Sequence, residues 1–152
     1  MIQLTIPGEP VPQARPRLTK TGIAYTPEKS RRYKEYIRLL ASAKMAGKTP
    51  LEGPLCLSVR VYRSAPKGGG RKWQTEAKAG LRRPVTKPDL DNYVKAVQDG
   101  LNGIVWHDDS QIVTYGAPFG KFYDDGGGPR VEVMVWELTP GLADVDDASG
   151  EA

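Results

Sequence analysis

The apolar residues of this chain keep two different periods, and the alternation between them decides what it can fold into. Ile2, Leu4 and Ile6 alternate with Gln3 and Thr5. Leu55, Leu57, Val59 and Val61 alternate around Ser58 and Arg60, and Val131, Val133 and Val135 around Glu132, Met134 and Trp136. Residues two apart share one side of a pleated strand, so each stretch predicts a half-buried strand, and 112–115 reads as a further one. Two other stretches keep helical spacing. Tyr33, Tyr36, Ile37, Leu40 and Ala43 or Lys44 line one face of a helix expected over 27–46. Thr26 would be its N-cap, Pro27 stands in its first turn and Gly47 follows its end. Tyr93, Val94, Val97 and Leu101 define a second helix of about three turns, capped by Asp91 and followed by Gly103. The expected fold is α+β: a single domain with a small, mostly antiparallel sheet and two main helices packed on one face.

A chain of 152 residues suits one domain with a modest core. That domain is expected over 1–138. Residues 7–27, with four prolines besides Pro7, read as an extended basic loop, because proline fixes φ and withholds a donor. Residues 64–86 read as a flexible basic loop, of which 73–79 could be a short helix. A Gly-rich turn at 124–128 joins the last two strands, and 139–152 is an acidic tail with too little apolar content to pack. No apolar run approaches the ~20 residues that cross a bilayer, and residues 1–7 do not resemble a signal peptide, so a cytoplasmic location without a membrane role is expected. The single cysteine, Cys56, cannot form an internal disulfide, and with the single histidine, His107, it cannot build a zinc site. Cys56 lies within a strand and reads as a small buried hydrophobe.

The net charge of +4 conceals a strong asymmetry. Residues 1–87 hold 19 Lys/Arg against 5 Asp/Glu, a net of +14, whereas residues 88–152 hold 3 against 13, a net of −10. A basic half of this strength points to a polyanion, and an acidic half would repel that polyanion unless its carboxylates hold cations.

The acidic residues that matter are not spread evenly. Asp89 and Asp91 follow Pro88, two residues apart, and on an extended segment they would point to one side. Lys95 stands one helical turn beyond Asp91, within reach of its carboxylate or of a bound phosphate. Asp108 and Asp109 come just before the next strand, where the returning chain could set them beside the first pair. Taken singly, Asp91 is an ordinary helix cap and Asp108-Asp109 an ordinary turn. Together, converging carboxylates repel unless a cation compensates, and hard oxygen ligands without His or Cys select Mg²⁺, or Mn²⁺ in its place. Such an ion, with a nearby lysine, suits phosphodiester cleavage.

The segment KPDLDNYVKAVQDGLNGIVWHDDSQIV, residues 87–113, resembles the signature of the RusA-type Holliday-junction resolvases, a family frequent in bacteriophages and prophages. PVPQARPR at 10–17 and Tyr-Thr-Pro at 25–27 also look like phage members, so the resemblance spans roughly residues 1–137. It implies that Asp89, Asp91 and Asp109 are metal-binding catalytic aspartates and that Lys95 is the catalytic lysine. Asp99 and Asp108 would support them or serve the fold alone. It further implies a homodimer, whose two-fold symmetry would match paired nicks in a four-way junction. Arg15, Arg17, Arg31, Arg32, Lys67, Arg71, Lys72, Arg82 and Arg83 are the candidates for phosphate contacts. Trp73 could stack on an unpaired base or simply pack, and His107, beside the acidic pair, is a weaker candidate for a general base. Two rival readings share these residues: an endonuclease for flaps or forks, and a non-catalytic junction-binding protein.

Overall fold

The computed structural model describes residues 1–139, and from residue 140 onward the acidic tail lies outside the described residues. The strands are β1 (Ile2–Pro7), β2 (Arg17–Leu18), β3 (Ala24–Tyr25), β4 (Leu55–Arg63), β5 (Ile112–Tyr115), β6 (Gly120–Tyr123) and β7 (Arg130–Glu137). The helices are α1 (Glu28–Lys44), α2 (Gly70–Lys78) and α3 (Leu90–Leu101), with a single 3₁₀ turn at Asp109–Gln111. The α+β fold is the one expected from the two periods.

β7 lies between β1 and β4 and is antiparallel to both, pairing Leu4 with Val133 and Val59 with Val133 across its two edges. On its other edge β4 is met by two short parallel strands in succession, β5 beside Leu55–Leu57 and β6 beside Arg60–Arg63. The sheet is therefore mixed. The Gly-rich turn joins β6 to β7 rather than β5 to β7, and these two strands straddle β4. β2 and β3 form a separate two-stranded ribbon.

β4 departs from the half-buried pattern expected of it: Leu55 through Val59 are all buried. The alternating apolar side chains enter the main core, while the opposite face is covered by the segment after β5. There Ser58 Oγ donates to the Pro118 carbonyl, and the Tyr62 ring stacks on Phe122 at 5.4 Å. Cys56 is buried, as expected.

α1 and α3 pack on one another and on the sheet. Ser30, Tyr33, Ile37 and Ala41 are the buried stripe of α1, at spacings of three and four. From α3 come Tyr93, Val94, Ala96, Val97, Gly100 and Leu101. Each fully buried Ile, Leu or Val in this core contributes roughly 1.5–3 kcal/mol. The helix axes come close because Gly100 has no side chain: a Cβ there would stand 2.5 Å from Ile37 Cγ2. Arg38 of α1 reaches to the end of α3 and donates to the carbonyls of Asp99, Gly100 and Asn102. A guanidinium satisfying terminal carbonyls complements the negative end of the helix dipole. α1 begins one residue later than expected, with Pro27 at its N-cap and no capping side chain.

Candidate active site

The start of α3 is fixed by its neighbours. The Lys87–Pro88 peptide is cis. Lys121 Nζ, from β6, donates to the carbonyls of Thr86 and Pro88, each at 3.1 Å, and Arg63 Nη1 donates to the same Thr86 carbonyl. From the other side, the Gln13 amide donates to the Asn92 carbonyl at 2.9 Å, and Ser30 Oγ ties down Pro12 and Ala14. The loop carrying Arg15 is thereby pinned against the first turn of α3.

Asp89, not Asp91, occupies the N-cap position of α3, with extended backbone (φ −69°, ψ 152°), and its side chain makes no capping bond. Asp91 lies inside the first turn. The expected flat, same-side arrangement of the pair is therefore replaced by a turn into the helix, because the chain enters α3 at Leu90. Both carboxylates are exposed and have no hydrogen-bond or ion-pair partner among the described residues. Their charge is favoured at this end of the helix by the peptide dipole and the free amides.

Lys95 reaches forward along α3 rather than back to Asp91. Its ammonium donates to Asp99 Oδ1 at 2.8 Å. That hydrogen bond is the main reason its pKa is raised above the ordinary lysine value, against a smaller opposing effect of burial; the charges of Asp99 and then Asp109 add to the rise. Asp99 is thus the partner that holds Lys95, and Asp109 stands close enough to be felt by it. After Leu101 the chain turns tightly: Gly103 donates to the Trp106 carbonyl, and Ile104 and Val105 to that of Leu101. This return buries Trp106 completely, and its indole Nε1 donates to Asp109 Oδ1 at 2.8 Å. Trp106 is the neighbour of a candidate site residue that sequence reasoning missed. A fully buried indole needs an acceptor for its N–H, and here the acceptor is the predicted catalytic aspartate.

Asp108 has a different task. Its carboxylate accepts from the Ser110 amide, and the Gln111 side chain accepts in turn from the amides of Asp108 and His107, forming a capping box on the 3₁₀ turn. These bonds from Ser110 hold its pKa below the usual carboxylate range. Gln111 also donates to the carbonyls of Leu51 and Gly53, so the turn that presents Asp109 is fastened to the chain ahead of β4. His107 Nε2 lies 3.0 Å from Glu52 Oε2, and both side chains are largely exposed.

Asp91 and Lys95 open onto one groove of about 530 Å³, completed by Leu90, Asn92, Val94 and Gln98 of α3 and by Tyr115 and Phe119. Among the described residues, no three His, Cys, Asp or Glu side chains stand close enough together to hold one metal ion. The donor chemistry nonetheless suits a hard divalent cation: Asp89 and Asp91 offer exposed, unpartnered carboxylates. One oxygen of Asp109 is engaged by Trp106. Gathering these three carboxylates on one ion requires their side chains to move from the positions described.

The candidate phosphate contacts fall into two groups. Arg15, Arg17, Arg31, Lys67, Arg71 and Lys72 are exposed, and their cationic groups have no internal partner among the described residues. Arg32 pairs with Glu28, Arg82 pairs with Glu76 at 2.9 Å, and Arg83 donates to the Lys121 carbonyl while lying over the Phe122 ring. Trp73 of α2 packs on Tyr123 at 5.4 Å, docking α2 against β6, which favours the packing role weighed for it.

Fold and site together define a small α+β domain with an acid-and-lysine groove on a chain whose first half is strongly basic. The family model of the endodeoxyribonuclease RusA matches residues 7–136, and the chain belongs to that family. It is also 43% identical over 143 residues to the uncharacterized protein YqaN of Bacillus subtilis (strain 168), an alignment covering 91% of this chain and 97% of that one. Membership makes the protein an endodeoxyribonuclease, an enzyme that hydrolyses DNA, of a family that acts on branched junctions.

Proposed function

We propose that the protein is a Mg²⁺-dependent, structure-specific endonuclease that resolves four-way DNA junctions by two symmetric nicks, acting as a homodimer in the cytoplasm of a bacterial host cell, where it serves a phage or prophage. The carrying observation is that Asp91 and Lys95 open onto one groove in a chain whose family cuts DNA. Asp89, Asp91 and Asp109 would hold the ion, which when bound polarises the phosphoryl oxygen and makes water a nucleophile near neutral pH. The chain's own residues do the rest. Lys95, kept cationic by Asp99, offers fixed positive charge to a phosphate whose negative charge grows in the transition state. Trp106 orients the Asp109 carboxylate, and the loop pinned at Gln13 brings Arg15 to the same end of α3. A two-fold dimer suits a junction that is itself nearly two-fold symmetric.

The deciding experiment compares an end-labelled four-way junction with a linear duplex of the same sequence, in Mg²⁺ or EDTA, for wild type and Asp91→Asn. Paired nicks confined to the junction, dependent on Mg²⁺ and abolished by Asp91→Asn with junction binding retained, are expected. Preferential cutting of flaps or forks would replace the substrate. Tight junction binding without cutting in any divalent metal would make the protein a binder.

A further inference from the structure

The groove beside Asp91 and Lys95 has a wall that hydrolysis does not require. Tyr115, the last residue of β5, and Phe119 stack on each other with ring centroids 4.8 Å apart and planes at 27°. Tyr115 is half exposed, 51% of its surface open to solvent. Its hydroxyl lies 3.4 Å from Gln98 Oε1 on the facing helix. Asp91, Lys95 and Gln98 follow one another along α3 at spacings of four and three, so they form one stripe opposite the aromatic wall. Val94 lies buried on the same helix and also lines the groove.

We propose that this wall is a nucleobase subsite: the base of a nucleotide flanking the scissile phosphate leaves its stack and lies against Tyr115, while the phosphate sits at Asp91 and Lys95. The inference deepens the junction-cleavage reading and rests on it. The occupant follows from continuity. The phosphate-facing residues and the aromatic pair line the same groove, so a nucleotide whose phosphate reaches Lys95 has its sugar and base directed along the remaining space. A flat aromatic face with polar atoms at its rim suits a base, whose faces are apolar and whose edge seeks hydrogen bonds. The Tyr115 hydroxyl donates to Gln98 Oε1, which leaves the Gln98 Nε2 donor and the Tyr115 hydroxyl oxygen as acceptor for that edge. A paired base at the crossover of an open junction has lost a stacking neighbour on one side, so it costs less to unstack than a base inside a continuous duplex, which ties the subsite to branched DNA.

The test places 2-aminopurine, a base whose fluorescence rises when it is unstacked and falls when it restacks on an aromatic ring, at each position flanking the crossover of a four-way junction in turn. Binding is followed in Ca²⁺ with Asp91→Asn, which should engage the junction without cutting it. One labelled position should change its emission on binding, and the change should vanish in Asp91→Asn/Tyr115→Leu, which keeps an apolar side chain but no π face. Tyr115→Trp in the same background should retain it. In the otherwise wild-type chain, Tyr115→Leu should weaken junction affinity about five- to hundredfold, the range that loss of one stacked base produces. Circular dichroism melts check that both variants fold. An unchanged signal and unchanged affinity in folded Tyr115→Leu, with junction cutting intact, overturn the subsite and leave the nuclease reading standing. Failure of the wild type to bind or cut a junction removes the nuclease reading itself.

Discussion

At the scale of single residues, the site turns on which carboxylate each polar group serves. Asp89, Asp91, Lys95 and Asp109 stand out in the sequence as candidates, because a charged pair before a helix and another before a strand form a recognisable pattern. Their pairing does not. Helical spacing allows Lys95 to reach Asp91 four residues back or Asp99 four residues ahead, and spacing cannot choose between them; the structure chooses Asp99. Trp106 was illegible as a positioning residue because its role depends on the tight return after Leu101, which no periodicity reports. The Lys95–Asp99 pair carries a titration prediction. The folded pKa of Lys95 lies above its ordinary value, chiefly through the hydrogen bond to Asp99. The stabilisation from this pair is therefore fully present below the unfolded lysine pKa and is lost as pH rises through the folded one. Lys95 should stay cationic across the neutral and mildly alkaline range, so no limb of the pH–rate profile there should come from it. Asp99→Asn should lower its pKa, read from the ¹³Cε resonance of Lys95, and should reduce cleavage more than junction affinity. A Lys95 resonance that titrates identically in both proteins would show that Asp99 does not set its charge.

At the scale of elements, the crossing of α1 over α3 sets where the site stands, since α3 carries Asp91, Lys95 and Asp99 on one side and the core on the other. Gly100 makes the close crossing possible. In an isolated helix, Gly→Ala is favourable by about 0.8–1 kcal/mol. Here the added methyl would stand 2.5 Å from Ile37 Cγ2, and Ile37 is fully buried, so overpacking should outweigh propensity. Gly100→Ala is expected to destabilise the protein by about 1–3 kcal/mol in urea unfolding. Ile37→Ala alone should cost about 2–5 kcal/mol through its cavity. The double mutant should lose less than the sum, because each change relieves the other. Strict additivity would mean that the helices separate to accept the methyl. The long elements were readable in advance because alternation in β1, β4 and β7 and the stripes of α1 and α3 each run over several residues. β6 was not: Gly120–Tyr123 is four residues long and shows no alternation, and its partner is β4, some sixty residues earlier. The parallel edge of the sheet and the two-sided burial of β4 were hidden for the same reason, since both depend on what crosses over from elsewhere in the chain.

At the scale of the whole molecule, the basic first half and acidic second half are folded around one another rather than held apart. α3, from the acidic half, packs on α1 from the basic half, and the loop before α1 is bonded to the first turn of α3. The sequence established the charge imbalance but not which cations remain available to DNA, because availability depends on internal pairing. Arg15 and Arg17 are exposed and lie on the loop and ribbon that follow the Gln13–Asn92 bond. Arg32 already serves Glu28. If the first pair contacts duplex arms, each lost phosphate contact should reduce the slope of log affinity against log salt concentration by about 0.9. Arg15→Ala/Arg17→Ala should then flatten the slope for a four-way junction by about 1.8 and weaken binding most at low salt. Arg32→Ala should change it far less, since a guanidinium already paired with Glu28 has no phosphate contact to lose. Fluorescence anisotropy across a salt series, with Asp91→Asn as the background to prevent cutting, measures all three. Equal slopes for the double variant and its parent would place the junction arms elsewhere on the molecule, with the exposed cations Lys67, Arg71 and Lys72, at the start of α2 and just before it, as the next surface to neutralise.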